Sequence, residues 1–114
     1  MDRRDLAAKY IKEVADNLYS ADFFGLCGNE DCGQMSAWYV YSAFGFFPFD
    51  PCGGDYVLGQ PFLPEISVKT GEGRRFTVTA EPGKVKAAVK LNGEALGGPV
   101  VRHADVMAGG TLEF

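Results

Sequence analysis

The stretch Gln34-Met35-Ser36-Ala37-Trp38-Tyr39-Val40-Tyr41-Ser42-Ala43-Phe44-Gly45-Phe46-Phe47-Pro48 divides the chain into two kinds of pattern. Residues 34–44 are apolar almost all round and lack a breaker, which predicts a helix of the buried type. Gly45 suits a C-terminal cap, and Pro48 and Pro51 stop any continuation. Before this stretch the apolar residues recur every three or four positions. Leu6, Tyr10, Ile11, Val14 and Leu18 form one stripe, which predicts an amphipathic helix over 4–19.

After Pro64 the period changes to two. Ile66-Ser67-Val68-Lys69 and Phe76-Thr77-Val78-Thr79 alternate; 85–91 alternates less cleanly; 56–58, 100–102 and 111–114 are short candidates. The last reads as a strand interrupted by the end of the chain. Turns fall at 71–73, 82–83, 92–93 and 97–99, with Asn92-Gly93 a strong hairpin signal. The chain therefore reads as α+β: two N-terminal helices followed by a small antiparallel β-sheet or half sandwich. Its expected divisions are a helical segment over 1–47, a Gly/Pro/Phe-rich connector over 48–64 and strands over 65–114.

The 114 residues, 46% hydrophobic and 23% charged, fit one globular domain or part of a larger one. The net charge of −4 does not favour a phosphate-binding surface, so nucleic acid is not an expected partner. Residues 1–57 carry 4 basic and 9 acidic groups, and 58–114 carry 7 basic and 6 acidic, giving −5 and +1. No apolar run approaches the roughly 20 residues of a membrane span, and the first 20 residues lack a secretory signal pattern. Cys27, Cys32 and Cys52 are too few for a disulfide framework and lack zinc spacing; they are expected to be buried free thiols.

The residues that could carry chemistry gather just before the second helix, in Gly28-Asn29-Glu30-Asp31-Cys32-Gly33-Gln34. A carboxylate at a helix N-terminus is stabilised in its charged form, which suits a general base. Asp31 followed by Gln34 also fits a capping box, so cap and base stand as alternatives for Asp31. Glu30 and Asp31 are adjacent and cannot face each other across a scissile bond. Glu13 and Asp16 read as solvated charges, Asp50 and Asp55 as turn residues and His103 as a surface or packing histidine. Trp38, Tyr39 and Tyr41 could stack on a sugar ring or form core.

Residues 28–40, with Ser42-Ala43-Phe44-Gly45-Phe46-Phe47-Pro48 and Tyr56-Val57-Leu58-Gly59-Gln60-Pro61, resemble glycoside hydrolase family 92, nearly without gaps over 18–68. Leu91-Asn92-Gly93, His103-Ala104-Asp105 and Gly109-Gly110-Thr111-Leu112 extend the resemblance. It implies a calcium-dependent, inverting exo-α-mannosidase of the α-1,2 type, acting on mannose-containing glycans outside the cytoplasm, in the periplasm or secreted. Such enzymes have an N-terminal β-sandwich and an (α/α)6-barrel catalytic domain, and this chain is similar to the last barrel helices and the strands after them.

On this resemblance Asp31 is the general base, Asn29 stands at an assisting position that is aspartate in some members, and Gln34, Trp38 and Glu30 line the substrate pocket. The general acid and most calcium ligands match upstream segments. The implied chemistry is single displacement, with two carboxyl groups roughly 6.5–9.5 Å apart around a water. The expectation is a C-terminal part that is inactive alone, needs the remainder of the enzyme, and self-associates through exposed apolar surface. The alternative is a stand-alone carbohydrate-binding or interaction module, motivated by nine aromatic residues among positions 38–62.

Overall fold

The computed structural model describes residues 3–50, 52–81, 84–85 and 88–114. Helix α1 spans Arg4–Leu18 and helix α2 spans Gln34–Phe44. Strands follow as β1 (Phe46–Asp50), β2 (Asp55–Leu58), β3 (Glu65–Lys69), β4 (Arg75–Thr79), β5 (Lys90–Leu91), β6 (Glu94–Ala95) and β7 (Val100–Arg102). A short helix α3 (His103–Ala108) precedes β8 (Gly110–Glu113), and a 3-10 turn occupies Gly71–Gly73. Both long helices and the α+β class match the sequence reading.

The strands form two sheets. One has the order β1-β2-β7, and the other β3-β4-β8-β5-β6. Pro48 sits in β1, an edge strand, where a missing N–H breaks no central ladder. Sequence patterning placed no strand over 46–50, yet Phe46 and Phe47 pair with Leu58 and Val57. The second sheet is not wholly antiparallel, as had been expected. Strands β4 and β8 run parallel, Val78 opposite Leu112. Helix α3, which period-2 reading missed, lies between β7 and β8 and lets β8 enter beside β4 in that direction. The hairpin at Asn92-Gly93 forms as its residues predict, with both φ positive (51° and 85°).

One core joins the sheets. Phe76, Val78 and Leu112 are fully buried, and Phe46, Tyr56, Val101 and Phe114 pack in the same cluster. Phe114 also donates its N–H to the Thr79 carbonyl at 2.8 Å.

Helix α2 reaches this core only at its C-terminal end. Ser42 and Ala43 are buried, while Tyr39 and Val40 are 39% and 53% exposed. The expected all-round burial is therefore absent, because α2 packs on β1 with its last turn alone. The α1 stripe is open too, with Leu6, Tyr10, Val14 and Leu18 exposed and Ala15 its one fully buried described residue. All three cysteines are exposed rather than buried, because each sits in or beside a glycine-rich surface turn. The expected turn at 82–83, the stop at Pro51 and the middle of the 85–91 strand lie outside the described residues.

Gly45 makes the passage from α2 to β1. Its φ of 83° is left-handed, and its N–H bonds the Ser42 and Tyr41 carbonyls. A Cβ there would stand 2.6 Å from Pro61.

Candidate functional site

The site is the loop between the two long helices. Residues 19–26 first close on themselves: Tyr19 and Leu26 form an antiparallel bridge, and Ser20 N–H donates to the Gly25 carbonyl at 2.9 Å. Gly25 is required there, since a Cβ would lie 2.0 Å from the Ser20 carbonyl oxygen. This closure displays Phe23 and Phe24, 95% and 89% exposed, edge to face.

The chain then runs through Cys27, Gly28 and Asn29 to a second turn. Asp31, Cys32 and Gly33 are left-handed in succession, with φ of 45°, 61° and 88°. Glycine adopts this region freely and aspartate tolerates it, but for cysteine it costs about 1–2 kcal/mol. Such strain persists only where neighbours impose it. The turn is closed by Gln34 N–H donating to the Glu30 carbonyl at 2.9 Å. Gly33 is the N-cap of α2, and no side-chain cap comes from it.

The capping box does not form. The carboxylate on the opening turn of α2 belongs to Glu30, whose two oxygens accept from the Ser36 backbone N–H and the Ser36 hydroxyl, each at 3.0 Å. Asp31 takes neither. Its side chain is exposed and makes no hydrogen bond or ion pair among the described residues. The cap alternative for Asp31 thus fails, because the left-handed φ turns its side chain away from the amides that Glu30 meets.

Asn29 and Gln34 are exposed on the two sides of this turn. Trp38 stands one helical turn beyond Gln34, half-buried, with Tyr19 stacked on it at 5.3 Å between centroids. Tyr19 also approaches Tyr39 at 5.2 Å and donates its hydroxyl to the Met35 carbonyl at 3.3 Å. Burial raises the Tyr19 hydroxyl above its usual pKa, with Cys27 and Glu30 adding to the effect. A groove of about 380 Å³ runs between Tyr19, Leu26, Ser36, Tyr39 and Val40. Ser36 and Tyr19 were missed in the sequence, since a Glu–Ser pair six residues apart and a Tyr nineteen positions from a Trp follow no helical period.

The other sequence candidates lie elsewhere. Asp16 pairs with Lys12 on the open face of α1. Asp50 accepts from Cys52 N–H at 3.0 Å, a turn role. Asp105 is bonded by Arg102 at 2.9 and 3.1 Å, which holds its carboxyl below the usual range. His103 Nδ1 lies 2.7 Å from the hydroxyl of buried Tyr56.

Calcium takes about six to eight oxygen ligands. Among the described residues no group of three or more His, Cys, Asp or Glu side chains could hold a metal ion. The donors here do not fit a calcium shell by themselves.

The arrangement is an unengaged carboxylate on a strained turn at the mouth of an aromatic helix. The chain belongs to glycosyl hydrolase family 92, whose catalytic-domain model matches residues 1–114. Among solved structures it is similar to the GH92 α-mannosidase BT3965 of Bacteroides thetaiotaomicron in complex with mannoimidazole, with 30% identity over 97% of this chain and a TM-score of 0.85. It is also similar to the GH92 inverting mannosidase BT2199 of the same organism, with 34% identity over 93% of this chain and a TM-score of 0.79. The chain spans 15% of the length of each. No match was found among curated proteins.

Proposed function

We propose that this chain carries the general-base half of an inverting exo-α-mannosidase site of the α-1,2 type. A carboxylic acid supplied from outside these residues would complete it. The observation that carries this reading is the Asp31 side chain, exposed and unengaged on the left-handed turn within a segment that matches the glycosyl hydrolase family 92 catalytic domain.

In the reaction, Asp31 accepts a proton from water as the water oxygen bonds to the anomeric carbon of a terminal α-mannoside. The glycosidic C–O bond breaks on the opposite face, and the leaving oxygen takes its proton from the acid. The Asn29 amide orients the water, and Gln34 and Trp38 line the sugar side. Calcium would take most of its ligands from outside this chain, and no step here is assigned to it.

On this reading, 1–47 continues a helical barrel, 48–64 is a connector and 65–114 is a C-terminal strand region. The open faces of α1 and α2 then meet the remainder of the enzyme. The 114 residues alone are inactive, and the whole enzyme works outside the cytoplasm.

The test is Asp31→Asn in a polypeptide that joins this segment to the rest of its catalytic domain. General-base catalysis contributes about 10²–10⁴-fold, so kcat should fall by that factor with KM little changed. An unchanged kcat would refute the assignment.

A further inference from the structure

We propose that Glu30 is the positioning residue of the Asp31 loop. Its two bonds to Ser36 hold Asp31-Cys32-Gly33 in left-handed backbone and so set where the Asp31 carboxylate stands. This deepens the reading above and rests on it.

The turn needs an external hold. Three consecutive left-handed residues, one of them a cysteine, are not a conformation the chain adopts unaided. Glu30 grips both ends of the turn. Its carbonyl takes Gln34 N–H at 2.9 Å, and its carboxylate takes the N–H and hydroxyl of Ser36 at 3.0 Å each. The Ser36 amide is one of the first four of α2, without an intrahelical partner and at the positive end of the helix dipole, so a carboxylate suits it better than a neutral acceptor.

The division of labour follows from this geometry. Two adjacent carboxylates cannot both face the helix end. Glu30 occupies the amides, and the left-handed φ of Asp31 sends the second carboxylate outward to solvent and substrate. Both Glu30 oxygens meet Ser36, and through that contact Glu30 positions the base.

The test is NMR on the 114-residue chain. A left-handed residue brings its own HN and Hα close and gives a strong intraresidue cross-peak between them. The wild type should show this for Asp31 and Cys32. Glu30→Gln keeps an acceptor for the Ser36 amide and a donor for its hydroxyl, so it should keep both peaks. Glu30→Ala should lose them, with the shifts of 38–44 unchanged. Strong peaks surviving in Glu30→Ala, or equal loss in Glu30→Gln, would overturn the proposal.

Should Glu30→Ala not fold, Ser36→Ala carries the test. It removes only the hydroxyl arm and should weaken both peaks; unchanged peaks would overturn the proposal. Asp31→Asn leaves Glu30 and Ser36 intact and should keep the signature. Failure of the base assignment and failure of the positioning role are therefore read separately.

Discussion

The ring of Tyr19 stacks on the ring of Trp38, with centroids 5.3 Å apart and 20° between planes. Tyr19 is the C-cap of α1, and Trp38 belongs to α2. The stack ties the loop that carries Asp31 to the helix it opens. It also covers one face of the indole, so a sugar could stack only on the other.

Trp38 is the single tryptophan, which makes its fluorescence specific. Tyr19→Ala should shift emission to the red and increase quenching by acrylamide. Millimolar mannose or mannobiose should leave wild-type emission unchanged in the isolated chain. A saturable change would favour the carbohydrate-binding module instead.

Gly45 is the joint between helix and sheet. Gly45→Ala meets both a left-handed φ and a Cβ 2.6 Å from Pro61. A destabilisation of about 2 kcal/mol or more is expected from these two effects. For a domain of this size that lowers Tm by roughly 8 °C or more. An unchanged Tm in thermal denaturation would contradict the junction described here.

Tyr56 of β2 packs in the core shared by the two sheets, and its hydroxyl meets His103 of α3. Burial raises its hydroxyl above the ordinary value of 10.0, and neighbouring Tyr41 adds to the rise. The folded state then keeps a proton that the unfolded chain has lost. Its contribution is complete below about pH 10 and is lost as pH rises through the higher folded value. Tyr56→Phe should flatten the fall of stability above pH 10, leaving a smaller slope from Tyr19, whose hydroxyl is raised in the same direction. A variant as steep as the wild type would contradict this.

Phe23 and Phe24 stand out at the tip of a closed loop, and the stripes of α1 and α2 are open as well. Exposed apolar surface of this kind drives association. The isolated chain should self-associate in light scattering, and Phe23→Ser with Phe24→Ser should shift it toward monomer. A wild type that stays monomeric at high concentration would count against that.

Periodicity exposed both long helices, because each keeps an unbroken apolar pattern along its length. It also exposed the alternating strands at 66–69 and 76–79 and the hairpin at Asn92-Gly93. It missed β1, because Phe46-Phe47-Pro48-Phe49 does not alternate and a proline reads as a break. It missed α3 and with it the parallel entry of β8, because six residues are too few to show a helical period. The apolar character of α2 was legible, but its burial was not, since that depends on which partners are present. The Gly-Asn-Glu-Asp motif located the candidate site. Which of its two carboxylates faces the helix depended on the φ of Asp31, and no spacing rule encodes that.

The most direct measurement is the rate of α-mannoside hydrolysis by three proteins: this chain, the chain joined to the rest of its catalytic domain, and the joined form with Asp31→Asn. The account predicts no turnover from the first, turnover from the second, and a loss of about 10²–10⁴-fold in kcat for the third. Turnover by the isolated 114 residues, or full activity in the Asp31→Asn form, would contradict it.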